Sequence, residues 1–207
     1  MLAYALSSPS ISKITILSRR PVKLAENEPK ANVILHTDYE SYPEEVLREL
    51  NGASGCVWAQ GISSRGMNEP DYTKITVDYP VAAAKVLATM DRNVNFVYFS
   101  GEGADTQEKA TMLFGRVKGR AENALLKLQD SNPTLRVYNI RPAIINPQGK
   151  YLAERKVTMQ DTTSTFLGGL CEKVWKSFVI SSDSLAKVCV DLAIGDGEPV
   201  KPGTGVE

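Results

Sequence analysis

Short apolar, β-rich runs alternate with long helical stretches along this chain, and no other feature narrows its fold as far. The runs are Lys13–Leu17 (KITIL), Ala31–His36 (ANVILH), Ser54–Ala59 (SGCVWA), Asn95–Ser100 (NFVYFS) and Leu135–Ile140 (LRVYNI). Each has the length and the turn-forming flanks of a strand buried on both faces. Strands linked by crossover helices build a parallel sheet covered on both sides. The pattern predicts an α/β fold with a doubly wound, mostly parallel sheet, and the chain carries too few β/α units for a closed barrel.

Spacing locates the helices. Met1–Leu6 reads as a helix that enters KITIL through a Ser/Pro turn. Ser41 and Glu44 form a capping-box pattern for a helix over Tyr42–Leu50. Tyr72, Ile75, Tyr79, Ala82, Ala83, Val86 and Met90 recur at helical spacing, with Pro80 inside the run. An interior proline costs ~3 kcal/mol or more, which predicts a kink or break near Thr76–Val77. Phe114, Val117, Ala121, Leu125 and Leu128 mark a second long helix. Further on, a helix is expected near Thr165–Ser177, a short strand at Phe178–Ile180, and a last helix running from a Ser182/Asp183 cap to Ile194. Residues 1–195 read as one domain and 196–207 as a mobile tail.

Composition narrows the function classes. A length of 207 residues suits a single core. Lys+Arg and Asp+Glu number 24 each, so the chain lacks the positive field that draws proteins to nucleic acid or anionic lipid. Cys56, Cys171 and Cys189 lie far apart with no CxxC pair. That disfavours a disulfide framework or a zinc ribbon and suggests a reducing compartment. The single His36 excludes a multi-histidine metal site. It reads as a strand-end residue, because no Ser or Cys motif pairs with it. No apolar run approaches the ~20 residues that span a bilayer, and the opening MLAYALSSPSIS does not read as a signal peptide. The expectation is a cytoplasmic protein with no membrane span, no nucleic-acid partner and no metal.

The pieces ITILSRRP, the aspartate of HTDY, CVWAQGISSRG, VDYPVAAAK, FVYFSGEGAD, LFGRVKGRAE, VYNIRPAIINP and SLAKVCVDLAIG carry a resemblance in their order and spacing. Over roughly Leu2–Gly195 the chain resembles the atypical short-chain dehydrogenase/reductases. The likeness is to the small fungal NAD(P)-binding proteins related to the Tat-interacting tumour-suppressor oxidoreductase. It implies a Rossmann-like domain that binds NADP in preference to NAD and an oxidoreductase that acts on a small carbonyl or alcohol.

Two departures qualify what the resemblance implies. The family opens with a strand and a GxxGxxG turn whose N–H groups hold the cofactor pyrophosphate, whereas this chain starts in what looks like the family's first helix. The absent strand is central in the family's sheet. With adjacent strands ~4.8 Å apart, its absence leaves about 9–10 Å between KITIL and SGCVWA. Each buried unpaired backbone group there costs ~1–3 kcal/mol. Either the two halves slide together, or a partner supplies a strand, or the chain is a truncated version of a longer protein, and truncation is the favoured expectation. Exposed sheet edges would also promote self-association. The second departure is in the family's YxxxK, which here reads Phe114-Gly115-Arg116-Val117-Lys118.

Site residues follow from the same register. Arg19 and Arg20 would clamp an NADP 2′-phosphate; by position alone they are a solvated basic turn before Pro21. Asp38 and Tyr39 match the pair that touches the adenine, or else form the turn before Ser41. Ala59 and Gly61 would let the backbone approach the cofactor where CVWA ends, although a glycine closing a strand is common to many folds. Ser100 matches the serine that hydrogen-bonds the substrate carbonyl, with a turn-forming hydroxyl as its local alternative. Lys118 matches the lysine that binds the nicotinamide ribose; read alone it is a surface residue. Arg141 and Pro142 match the strand-end pair, and residues 143–177 would form the substrate-side cap. Phe114 removes the usual acid/base, so, if a longer native form of the chain binds NADPH, Phe114→Tyr is expected to raise carbonyl reduction by about 10²–10⁴. Tyr98, Glu102 and Asp105 are the alternative proton donors nearby. The competing readings are an NADP-dependent oxidoreductase, a cofactor-binding or interaction module without turnover, and, more weakly, a relative at the mitochondrial outer-membrane surface.

Overall fold

Every strand pair among the described residues is parallel. In a computed structural model, which describes residues 1–90, 92–147 and 179–199, β1 (Ile14–Ser18) pairs with β2 (Ala31–Leu35), Ile14 opposite Ala31. A second sheet has the order β3 (Gly55–Trp58), β4 (Val94–Phe99), β5 (Leu135–Ile140). A third pair joins β6 (Ile144–Asn146) to β7 (Val179–Ser181). The helices are α1 (Leu2–Ser7), α2 (Glu44–Leu50), α3 (Glu69–Thr73), α4 (Tyr79–Ala88), α5 (Leu113–Asp130) and α6 (Ser182–Ile194). The result is the parallel α/β architecture that the alternation predicts.

β4 lies at the centre because both of its faces are apolar. Successive side chains on a strand point to opposite faces. Phe96 and Tyr98 pack with Tyr72, Ala84, Val117, Ala121 and Leu125 of α3, α4 and α5. Val97 packs with Leu185, Cys189 and Ala193 of α6. At Gly55 a Cβ would sit 2.0 Å from the Ala193 carbonyl oxygen, so only glycine lets α6 lie this close to β3.

The helix predicted over Tyr72–Met90 is divided into α3, a π-helical turn at Lys74–Asp78, and α4 with Pro80 in its first turn. The expected break is therefore a π-bulge, one of the usual ways a helix absorbs such a conflict. Two caps differ from expectation. Pro43 occupies the N-cap of α2, and no side chain caps that helix. Ser41 lies too early in the chain, its N–H donating to Asp38 in a turn. At α6 the cap is Ser181, one residue earlier than expected, whose Oγ accepts the Ser184 N–H at 3.0 Å.

Among the described residues β1 and β3 exchange no hydrogen bonds, so the two halves of the sheet have not slid into direct pairing. Side chains join them. Tyr39 Oη donates to the Leu17 carbonyl at 3.4 Å and its ring meets Trp58 edge-on at 5.8 Å. The helix expected near 165–177 and most of the 143–177 stretch lie outside the described residues, as do 200–207. Of the tail, Glu198 is held by Tyr138 Oη, which donates to its carbonyl at 3.0 Å. No helix among the described residues is long and apolar enough to cross a membrane.

Candidate active site at the carboxyl edge of the sheet

All strands of a parallel sheet end on one edge, and the loops beyond that edge are where α/β folds bind ligands. Within each sheet topology gathers the predicted residues, and the contacts of Tyr39 with Leu17 and Trp58 bring the two sets together. Arg19 and Arg20 follow β1, Asp38 follows β2, Ala59 and Gly61 follow β3, Ser100 follows β4, and Arg141-Pro142 follows β5. Arg19, Arg20, Asp38, Ala59 and Gly61 are exposed. Tyr39 is buried, with ring contacts to His36, Trp58 and Tyr79, so protein already encloses the ring assigned to the adenine. This aromatic cluster was not legible in the sequence, since its members come from three separate segments. Beside it, Trp58 Nε1 and Gln60 Oε1 are buried without a hydrogen-bond partner.

The end of β4 has the most constrained chemistry. Ser100 is 8% exposed and its Oγ has no partner among the described residues. Lys118, equally buried, reaches over from α5. Its Nζ donates to the Phe99 carbonyl and, at 3.2 Å, to Tyr98 Oη, and stands 4.6 Å from the Tyr98 ring centre. Tyr98 Oη in turn donates to the Thr76 carbonyl at 2.9 Å. That carbonyl is available because Pro80, four residues on, has no N–H to return. The proline that breaks the helix therefore also orients the tyrosine that holds the lysine. Burial lowers the Lys118 amine to about 8, partly offset by Glu122.

Two of the alternative proton donors are committed elsewhere. The Tyr98 hydroxyl donates its hydrogen bond to the Thr76 carbonyl, and burial pushes its ionisation up. Asp105 accepts N–H bonds from Gln107, Lys109 and Ala110, which hold its carboxyl below the usual range. The Lys118 amine, by contrast, is lowered by burial to about 8, within the range where a buried amine can exchange a proton.

Phe114 closes one side of this site. A Cβ built on Gly101 would lie 2.7 Å from Phe114 Cζ and 3.6 Å from both Cε atoms. Equal, longer distances to the flanking carbons place it on the extended ring axis, where a tyrosine carries its oxygen. In this geometry the hydroxyl of Phe114→Tyr would run into the Gly101 backbone. We expect this substitution to lower stability by about 1–3 kcal/mol, as overpacking does, with no gain in carbonyl reduction. Thermal unfolding and a reduction assay on the variant check both parts.

Arg141 makes a two-point ion pair with Glu122, Nε to Oε1 at 2.9 Å and Nη2 to Oε2 at 2.6 Å. Glu122 is 3% exposed and the Arg141 side chain 39%. A cleft of about 720 Å³ lies beyond, lined by Tyr138, Asn139, Arg141, Pro142, Leu185 and Leu192 among others. Neither Ser100 nor Lys118 lines it. Among the described residues no group of three or more His, Cys, Asp or Glu could hold a metal ion.

No family model matches the chain. It is 32% identical, over a 219-residue alignment, to leucinostatins biosynthesis cluster protein T of Purpureocillium lilacinum, with 94% of this chain and 80% of that protein covered. The chain belongs to that protein's family. Solved structures extend the likeness at the level of fold. Vestitone reductase from alfalfa superposes with a TM-score of 0.63 at 17% identity, over 97% of this chain and 70% of its own. The Bordetella bronchiseptica enzyme WbmG, in complex with NAD, gives 0.60 at 13% identity, over 91% and 63%. This family member thus has the Rossmann-like fold of reductases and of an NAD-bound enzyme.

Proposed function

We propose that the protein is an NADP-preferring oxidoreductase that acts on a small carbonyl or alcohol substrate. Ser100 carries this reading. A hydroxyl that is buried, unpartnered and next in the chain to Phe99, whose carbonyl a buried amine holds, is what a site needs to hold a carbonyl oxygen. The residues present fit the two ends of a dinucleotide. Exposed Arg19 and Arg20 suit a 2′-phosphate, and Lys118 with Ser100 suits the nicotinamide end. Between them, no helix among the described residues opens on a glycine turn. The bound cofactor would supply the hydride; the chain's own residues bind and orient the substrate and hold the proton on Lys118. The relative's place in a leucinostatins biosynthesis cluster supports a natural-product intermediate as the substrate class. The second reading is a cofactor-binding or interaction module without turnover, favoured by Phe114.

NADPH is expected to bind more tightly than NADH, and Arg19→Ala with Arg20→Ala should erase the difference. A lost bidentate charge-assisted contact is worth about 1.5–3 kcal/mol, or roughly tenfold to over a hundredfold in affinity. Fluorescence titration of both cofactors against both proteins tests this. Equal curves for NADPH and NADH on the parent chain would remove the NADP assignment. Binding without reduction of any carbonyl in a broad panel would favour the module.

A further inference from the structure

Lys118 and Glu122 stand one turn apart on α5, a spacing at which an ammonium and a carboxylate can pair. They do not pair here. Lys118 Nζ instead turns to Tyr98 and the Phe99 carbonyl, while both oxygens of Glu122 are taken by Arg141. A buried carboxylate must be paired with something, and α5 alone offers it the lysine. What diverts it is a guanidinium brought in from the end of β5, on a different segment of the chain.

We propose that Arg141 is a positioning residue for Lys118: by occupying both oxygens of Glu122, it leaves the amine turned toward Tyr98 and Phe99, beside Ser100. Without Arg141, Glu122 would draw the amine along the helix and hold its proton. The ionisable groups around the pair are Tyr98 from β4, Tyr72 from α3, Glu122 from α5, and Arg141 from the end of β5. Glu102 and Asp105, in the loop after β4, act on Arg141. Of these, Glu122 is the group whose charge acts directly on Lys118. The proposal rests on the site reading given above and deepens it, assigning Arg141 to the lysine rather than to the cofactor.

The test is a pH titration of the Lys118 ¹³Cε resonance in lysine-labelled protein, assigned by its loss in Lys118→Met. It requires neither cofactor nor substrate, so its result is independent of whether NADPH binds. In the parent the midpoint should lie near 8. Arg141→Met should move it up by about 1–3 pH units, the effect of a close opposite charge. Adding Glu122→Gln to Arg141→Met should return it to or below the parent midpoint. Arg141→Lys keeps a cation but loses the two-point grip, so it should shift upward by less. It decides the matter if Arg141→Met does not fold. An unchanged midpoint in a folded Arg141→Met or Arg141→Lys protein would overturn the proposal. So would a double variant whose midpoint stays as high as that of Arg141→Met.

Discussion

Ser100→Ala should reduce carbonyl turnover by about 10²–10³-fold, the usual cost of removing one donor to a developing oxyanion, while leaving the melting temperature unchanged or slightly raised. Most substitutions at an active site confound these two effects. Here they separate, because Ser100 Oγ makes no hydrogen bond among the described residues. A buried hydroxyl without a partner carries a desolvation penalty of about 1–3 kcal/mol. Alanine removes that penalty and opens at most a small void. Steady-state reduction kinetics and thermal unfolding of the same preparation make the comparison. A clear loss of stability would show that the hydroxyl is bonded within the fold and is not held for a ligand. Intact turnover would remove Ser100 from the chemistry.

Gly119→Ala should lower stability by about 3 kcal/mol, the upper end for overpacking a tight contact, and the melting temperature by roughly 6–12 °C for a chain of this size. In an exposed helix the same change stabilises by up to about 1 kcal/mol, so the two possibilities differ in sign. The added Cβ would lie 1.8 Å from the Asp105 carbonyl oxygen and 2.7 Å from Thr106 N. That loop has little room to retreat. The Asp105 N–H donates to the Gly115 carbonyl at 2.9 Å, the Asp105 carboxylate binds three N–H groups, and Asn123 Nδ2 donates to the Thr106 carbonyl at 2.7 Å. Gly115 faces the same loop, with a Cβ there falling 2.7 Å from the Gly103 carbonyl. The two glycines let α5 lie against the loop after β4, the approach that brings Lys118 to Phe99. Differential scanning calorimetry measures the shift, and a rise would mean that the loop yields.

Periodicity alone identified β1 to β5 and the long helices, because an apolar run between turn residues and an apolar stripe at helical spacing are local properties of the chain; the three-residue β6 was not read, being too short to carry a pattern. LRVYNI coincides with β5. Pro80 announced a disturbance near Thr76–Val77, since a proline conflicts with its own preceding turn in any context. The position of Arg19, Asp38, Ala59, Ser100 and Arg141 at the carboxyl ends of their strands was likewise legible, because each directly follows its strand in the chain.

Tertiary structure decided what each of these residues does there. Which atom accepts the Tyr98 hydrogen bond depends on a carbonyl freed on a different helix. The burial of Tyr39 depends on Trp58 and Tyr79, far from it in sequence. The direction in which Lys118 turns depends on Arg141, which occupies the carboxylate the lysine would otherwise meet on its own helix. A sequence states spacing within an element, and that is enough to establish strands, helices and the edge on which a parallel sheet presents its loops. Hydrogen-bond choice and the protonation of a buried amine are settled by groups from other elements, and only packing brings those within reach.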